Sequence, residues 1–180
     1  VAKVGTLAST FKICADGTFE VDPIPSSTNN ANFYWTVDNP DPIFVTLQSS
    51  PAQSSTSIND SWLNQSPTFD LASLTYTIKP FVAKTTGQEC FGTEKFVTLN
   101  VAPPIDAELF SASGDADAFI CEGDEELLTF INNGLSKFSL KYSEGASEVI
   151  VNNAGSVVNL FVDPTVTTTY TLLSLTDSYG

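Results

Sequence analysis

Short runs of apolar residues, with polar residues at alternate positions, recur along the whole chain. Phe138, Leu140 and Tyr142, for example, alternate with Ser139 and Lys141, as a strand with one buried and one solvated face requires. Clusters of Asn, Gly, Pro, Asp and Ser separate these runs, and we find no convincing helical period. The pattern predicts an all-β chain built from antiparallel strands.

The expected strands fall into two groups, one in each half of the chain. We predict strands at residues 9–14, 18–22, 31–38, 43–48, 72–82 and 92–102, and then at 108–112, 117–121, 125–131, 136–143, 147–152, 156–162 and 168–175. The polar stretch from Ser49 to Ser61 lies within the first group and is predicted to be a loop or an irregular edge.

Two sequence motifs occur twice, in the same order. Phe11–Gly17 (FKICADG) returns as Phe119–Gly123 (FICEG), and Thr75–Ile78 (TYTI) returns as Thr169–Leu172 (TYTL). A repeat of this kind predicts two tandem copies of one domain type, each opening with a cysteine strand and closing with a TYT strand. Domains in series more often extend or display a binding site than catalyse a reaction.

The boundary between the two copies is expected at Ala102–Ile105 (APPI), where two adjacent prolines form a short, stiff linker. This boundary predicts one domain at residues 1–103 and a second at residues 104–180. Because Gly180 falls within turn-like sequence, we expect the second domain to be truncated at its C-terminus.

The charge of the chain argues against several classes of function. The chain has 7 Lys, no Arg and no His against 21 Asp plus Glu, which gives a net charge of -14. Without Arg or a basic face, nucleic acid is not an expected partner. The lack of His removes the commonest general base, and no Ser–Lys or paired-carboxylate arrangement stands out. We therefore predict no enzyme activity and no catalytic residues. No apolar run approaches the roughly 20 residues that span a bilayer, so membrane insertion is not expected.

Two features of the sequence could bind a ligand. Trp62 lies in a polar, loop-like stretch, where an exposed indole could stack on a sugar ring or could instead plug the end of the domain. Asp115 and Asp117 lie in an acidic segment and offer the hard oxygen ligands that calcium prefers. Their spacing matches neither an EF-hand nor an RTX-type loop, so we favour a solvated acidic edge and predict no metal and no other cofactor.

The first half of the chain resembles a known family in several segments. Phe33–Val37 (FYWTV), Ser73–Pro80 (SLTYTIKP), Gly87–Gly92 (GQECFG) and Val97–Val101 (VTLNV) together resemble a PKD-like domain of Bacteroidetes surface proteins.

The second half resembles the Ig-like repeats that occur beside such domains. The resemblance rests on Ile120–Asp124 (ICEGD), on Asp163–Leu172 (DPTVTTTYTL) and on Leu175–Gly180 (LTDSYG). Taken together, the two resemblances imply an all-β protein with two tandem immunoglobulin-like (PKD-like) antiparallel β-sandwich domains.

The resemblance also implies a function. Repeats of this kind occur in very large secreted proteins, including gliding-motility adhesins exported by the type IX secretion system. It thus implies non-enzymatic repeat modules at the extracellular cell surface, with neighbouring repeats of the same polypeptide as partners. Two alternatives stay open: a carbohydrate-binding accessory module of a secreted glycoside hydrolase, with a surface polysaccharide as partner, and a docking element of the secretion or motility machinery.

Three cysteines in a secreted all-β protein suggest disulfides, because no CxxC spacing and no His is present to complete a zinc site. We expect a disulfide between Cys14 and Cys90, which would link the first strand to the region after the TYT strand. The expected partner of Cys121 then lies beyond Gly180. The alternative is that all three cysteines are reduced.

Overall fold

A computed structural model describes residues 2–22, 24–27, 31–48, 54–68, 70–84, 87–111, 122–132 and 138–176. The regular elements in these ranges are strands, which confirms the all-β prediction. The described part of the chain contains no helix that is long and apolar enough to cross a membrane. The chain divides into two compact units, Val1–Pro104 and Ile105–Gly180.

The described residues of unit 1 form two sheets. Its strands in the described ranges are β1 (Thr10–Ile13), β2 (Thr18–Val21), β3 (Asn32–Asp38), β4 (Val45–Leu47), β5 (Ser54–Ser55), β6 (Ile58–Asn64), β7 (Ala72–Ala83), β8 (Glu89–Phe91) and β9 (Lys95–Val101). One sheet has the order β1-β9-β7-β3-β5, with β8 also paired to β7, and the other has the order β2-β6-β4. β1 runs parallel to β9, whereas the β3–β7 and β7–β9 pairs are antiparallel.

The two sheets of unit 1 pack through side chains that alternate along the strands. Leu74, Tyr76 and Ile78 of β7 are fully buried, as are Val97 and Leu99 of β9. They belong to a hydrophobic core that also takes in residues of the β2-β6-β4 sheet. Each large side chain removed from water contributes about 1.5–3 kcal/mol to folding, so this shared core is what holds the two sheets together.

β6 is the largest departure from the predicted strands, because the sequence predicted a loop up to Ser61. Ile58, Asp60, Trp62 and Asn64 alternate along β6 and are all buried. Two of these four inward residues are polar, so the alternation of the strand is not visible as a hydrophobic pattern.

The first residues of unit 1 lie against the segment that follows β8. Ala2 is buried, and Lys3 forms a parallel bridge with Thr93. The backbone at Gly92 approaches this segment so closely that a Cβ atom on Gly92 would collide with the carbonyl oxygen of Ala2. Glycine is therefore required at position 92 by the close approach of two backbone segments.

The described residues of unit 2 also form two sheets. Its described strands are β10 (Ala107–Ser111), β11 (Glu126–Asn132), β12 (Phe138–Glu144), β13 (Ser147–Ala154), β14 (Val157–Val162) and β15 (Tyr170–Thr176). The sheets have the orders β10-β11-β14 and β13-β12-β15, and all their pairs are antiparallel. The predicted strand at 117–121 lies outside the described residues.

The core of unit 2 is smaller than that of unit 1. Phe130 of β11 faces Tyr142 of β12 with ring centroids 5.5 Å apart, and Phe138 and Leu140 complete the buried centre. Tyr170 and Leu172 of β15 pack against this centre but stay only partly buried.

Candidate functional site

Unit 1 contains a group of polar side chains inside its apolar core. Trp35, Asp60, Trp62 and Tyr76 form what we call the buried polar cluster, and each is at most 3% exposed. Asp60 and Trp62 lie two residues apart on the inward face of β6, whereas Trp35 and Tyr76 come from β3 and β7 of the opposite sheet. The cluster therefore connects the two sheets.

A chain of hydrogen bonds runs through the buried polar cluster. Trp62 Nε1 donates to Tyr76 Oη at 2.7 Å, and that hydroxyl donates to Asp60 Oδ2 at 2.9 Å. The indole of Trp35 also donates to the Asp60 carboxylate. The donors thus converge on the one group that only accepts, as a satisfied buried network requires.

The electrostatics of the cluster follow from its burial. Burial raises the pKa of Asp60 above its usual 3.8, while the hydrogen bonds from Tyr76 and Trp35 oppose that change. Burial, together with the charge of Asp60, also raises the pKa of Tyr76, so its hydroxyl keeps the proton that it donates. Because these polar atoms bond to one another inside the core, the cluster stabilises the sandwich and presents no group to a ligand.

The structure corrects the expectation that Trp62 is an exposed ligand contact. Trp62 is 3% exposed and lies in β6, where its indole bonds to Tyr76. The sequence around Trp62 looks like a loop because its neighbours are polar, yet these neighbours include the inward-facing Asp60 and Asn64. Trp35, by contrast, lies in the core as a strand tryptophan of a sandwich is expected to.

The structure also corrects the expected disulfide, because Cys14 and Cys90 are not joined. Cys14 follows β1, which pairs with the end of β9 that lies beside Ala72, the first residue of β7. Cys90 pairs with Val82, near the other end of β7. Ten residues of strand correspond to about 30 Å, whereas a disulfide needs Cα atoms within about 7 Å. The parallel β1–β9 pairing therefore separates the two thiols. Cys121 lies outside the described residues.

No group of three or more metal-binding side chains occurs within the residues that the structure describes. Asp115 and Asp117, the candidate calcium ligands, lie outside those residues.

The outward face of the larger sheet carries a second aromatic group that sequence reasoning missed. Tyr34 of β3 stacks on Phe81 of β7 with ring centroids 4.4 Å apart, and Phe91 of β8 lies 6.1 Å from both rings. We call these three residues the outer aromatic cluster. Phe81 is buried by its two neighbours, whereas Phe91 is 45% exposed.

Charged side chains border the outer aromatic cluster. The Tyr34 hydroxyl donates to Glu89 Oε1 at 2.9 Å, and Lys79 Nζ lies 5.1 Å from the centroid of Phe91 while pairing with Glu94 at 3.2 Å. The sequence signal for this cluster is alternation in β7, where Lys79 and Phe81 share the face opposite to Tyr76 and Ile78. The result is an apolar surface with a polar border.

Unit 1 has two packed sheets, a core whose polar side chains bond to one another, and an outer face that carries aromatic residues. These features define a β-sandwich module. Residues 11–104 match the family model of the PKD-like domain, which covers more than half of the chain. The chain belongs to the PKD-like family, which confirms that its first half resembles a PKD-like domain. Domains of this family are generally non-catalytic and typically extracellular. No curated protein and no solved structure matches the chain.

Proposed function

We propose that the chain is a non-enzymatic spacer of a large secreted bacterial adhesin, in which tandem sandwich modules extend and display a binding tip at the cell surface. Unit 2 serves as an Ig-like module in series with the PKD-like one. The family supports an extracellular, non-catalytic role. The observation that carries the mechanical part of the proposal is the parallel pairing of β1 with β9.

β1 and β9 are the first and last described strands of unit 1, and they lie side by side. Their register runs from Thr10 opposite Thr98 to Ile13 opposite Val101. In a parallel pair, tension on the preceding and following segments pulls the two strands in opposite directions along their axes. The evenly spaced hydrogen bonds of the pair are then loaded together rather than one after another.

The chain also leaves unit 1 from an anchored position. The Ala102 amide donates to the Ile13 carbonyl at 2.9 Å, so the β1–β9 ladder continues one residue beyond β9. Pro103 is buried and Pro104 is exposed, so the chain reaches the surface of the unit within the stiff dipeptide. Tension on the segment that follows unit 1 therefore acts directly on the β1–β9 hydrogen bonds.

Single-molecule force spectroscopy on the 180-residue chain, held at its two ends, tests this role. Unit 2 provides an internal comparison, because each of its described strand pairs is antiparallel. We expect two unfolding events, with unit 1 unfolding at the higher force. Equal forces, or a weaker unit 1, would reject the mechanical role.

A set of variants in β1 tests whether the β1–β9 hydrogen bonds are the source of the mechanical resistance of unit 1. The Thr98 amide donates to the Ser9 carbonyl at 2.9 Å, and the alternation of a parallel ladder then directs the Phe11 amide toward β9 and the Lys12 amide away from it. Phe11→Pro should lower the unfolding force more than Phe11→Ala, since both lose the ring but only proline loses the ladder bond. Lys12→Pro is the matched control and should retain most of the force.

The outer aromatic cluster favours a second candidate, a carbohydrate-binding accessory role. Exposed Phe91, with the Glu89 and Lys79 side chains beside it, offers an apolar ring and polar groups of the kind that hold a sugar. Titration calorimetry against soluble polysaccharides tests this role. Affinity that is lost in Phe91→Ala and kept in Phe161→Ala, which alters a more exposed phenylalanine in β14, would support it. The absence of measurable heat would reject it.

A further inference from the structure

β15 of unit 2 is the counterpart of β7 in unit 1. The repeated motif begins β15 at Tyr170 and lies within β7 around Tyr76. β7 pairs antiparallel with β3, and β15 pairs antiparallel with β12. In both units the tyrosine packs against the core. The sequence repeat therefore corresponds to a structural repeat, and the two strands can be compared directly.

The two strands differ in the number of their neighbours. β7 lies between β3 and β9, whereas β15 is the terminal strand of its sheet in the part of the chain that the structure describes. The consequence is visible in the core. Tyr76 and Ile78 are fully buried, while Tyr170 and Leu172 at the equivalent positions are only half-buried. Leu173, which follows them, is 45% exposed.

The backbone of β15 is oriented to pair on this open side. The Gly145 amide donates to the Thr169 carbonyl at 2.9 Å, which makes these two residues a hydrogen-bonded pair. Such pairs alternate along an antiparallel ladder with pairs whose backbone groups point away from the partner strand. Tyr170 and Leu172 occupy the second kind of position. Their N–H and C=O groups therefore face the open edge, which is the arrangement that templates a further strand.

We propose that the open edge of β15 binds an extended polypeptide segment, which adds to the sheet as an antiparallel strand. In unit 1 the corresponding place, beside β7, is occupied by β9. Every second side chain of β9 points inward and is fully buried, namely Val97, Leu99 and Val101. This strand therefore indicates what kind of sequence can bind beside β15. The occupant is a segment of about six residues with apolar side chains at alternate positions, held by backbone hydrogen bonds.

The negative charge of unit 2 limits which peptide segments can bind at the open edge of β15. Residues 104–180 carry 2 Lys against 12 Asp plus Glu. The Tyr170 hydroxyl donates to Glu144 Oε1 at 3.0 Å, so a carboxylate of β12 lies beside the Tyr170 side chain of β15. An acidic strand would be repelled there, whereas a neutral one is not repelled and a basic one is attracted. β9 fits this rule, since it contains Lys95 and no acidic residue.

Amide hydrogen exchange on the isotopically labelled 180-residue chain tests the proposal. The probe is a synthetic peptide with the β9 sequence, KFVTLNV. At saturation it should slow exchange at Tyr170 and Leu172 by about tenfold or more, because their amides gain partners. Thr171 should change little, since its amide already faces β12. A peptide carrying V97D and L99D is the matched control and should have no effect, because it would bury two carboxylates.

Three outcomes would overturn the proposal. The first is no protection of Tyr170 and Leu172 at millimolar peptide. The second is protection confined to unit 1, which would mean that the peptide only exchanges with β9. The third is protection of the same amides without peptide that rises with protein concentration, which would make a second copy of the chain the occupant. A pair of variants gives an independent readout: Leu172→Ala should keep peptide binding, whereas Leu172→Pro, which also lacks the edge amide, should lose it.

Discussion

The indole Nε1 of Trp62 donates a hydrogen bond to the hydroxyl oxygen of Tyr76 at 2.7 Å, and the same hydroxyl donates to Asp60. One tyrosine oxygen therefore joins β6 of one sheet to β7 of the other. Tyr76→Phe would leave the indole without an acceptor and would remove a donor from a buried carboxylate. We expect this change to lower the free energy of unfolding of unit 1 by about 2–4 kcal/mol. Urea denaturation followed by tryptophan fluorescence measures it, because both tryptophans lie in unit 1.

The repeat supplies the control for this experiment. Tyr170 is the counterpart of Tyr76, but its hydroxyl donates to Glu144, which is exposed. Water can replace that bond, so Tyr170→Phe should lower the unfolding free energy of unit 2 by less than about 1 kcal/mol. Denaturation monitored by circular dichroism measures this change. A loss in unit 2 as large as that in unit 1 would contradict the role of the buried polar cluster.

Asp60 gives unit 1 a characteristic pH dependence. Its pKa is raised in the folded state above the usual 3.8, so the folded protein holds this proton more tightly than the unfolded chain does. The stabilisation is complete below that value and is lost as the pH rises through the folded pKa. The difference in unfolding free energy between the wild type and Asp60→Asn should therefore fall as the pH rises above about 4.

Repulsion among the other carboxylates also changes with pH, but it is present in both the wild type and Asp60→Asn. It therefore cancels in the difference between their unfolding free energies. Urea titrations at a series of pH values provide the measurement. A difference that is constant, or that increases with pH, would show that burial does not dominate the pKa of Asp60.

Gly92 is the position where the close approach of two backbone segments excludes a side chain. A methyl group there would collide with the Ala2 carbonyl, so Gly92→Ala must displace the N-terminal segment from the residues that follow β8. We expect a loss of about 1–3 kcal/mol and faster amide exchange at Thr93, whose bridge to Lys3 would open. Gly155→Ala is the control, because a Cβ atom there meets nothing within 4 Å. Equal stability of the two variants would contradict the close approach.

Sequence reasoning predicted the strands whose inward residues are apolar. Strands such as β7 and β12 were predicted to within a few residues because Leu, Tyr, Ile and Phe alternate with polar residues along them. β6 was missed because Asp60 and Asn64 occupy inward positions, and a polar residue on the buried face looks like a loop residue. Asp60 and Asn64 can be buried because they form hydrogen bonds with residues across the sandwich. These partners are distant in sequence, so the local pattern does not show them.

Pairing between strands was harder to predict than the strands themselves. The expected Cys14–Cys90 disulfide assumed that the first strand lies near β8, but the parallel β1–β9 register places it at the far end of β7. Direction and register depend on contacts between residues almost 90 positions apart, which local alternation does not encode. The outer aromatic cluster was missed for the same reason, since Tyr34 and Phe81 meet only across the β3–β7 pair.

Asn64 anchors the end of unit 1 from which the chain leaves. Its Nδ2 donates to the Val101 and Asp70 carbonyls at 3.0 and 3.1 Å, and its Oδ1 accepts from the Ser66 amide at 3.0 Å. Asn64→Ala would remove these bonds from a side chain that is fully buried. We expect a loss of about 2–4 kcal/mol and, under tension, a lower unfolding force, because the end of β9 loses its attachment to β6.

Asn39 is a matched control for this prediction, since it also uses both ends of its amide. Its Nδ2 donates to the Val45 carbonyl at 2.6 Å and its Oδ1 accepts from the Asp41 amide at 3.0 Å, but the site is only partly buried. Water can satisfy the groups that Asn39→Ala exposes, so this variant should lose less than about 1 kcal/mol and should unfold at the wild-type force. If Asn64→Ala lowered stability without changing the force, the anchor would support the fold of unit 1 but would not transmit tension through it.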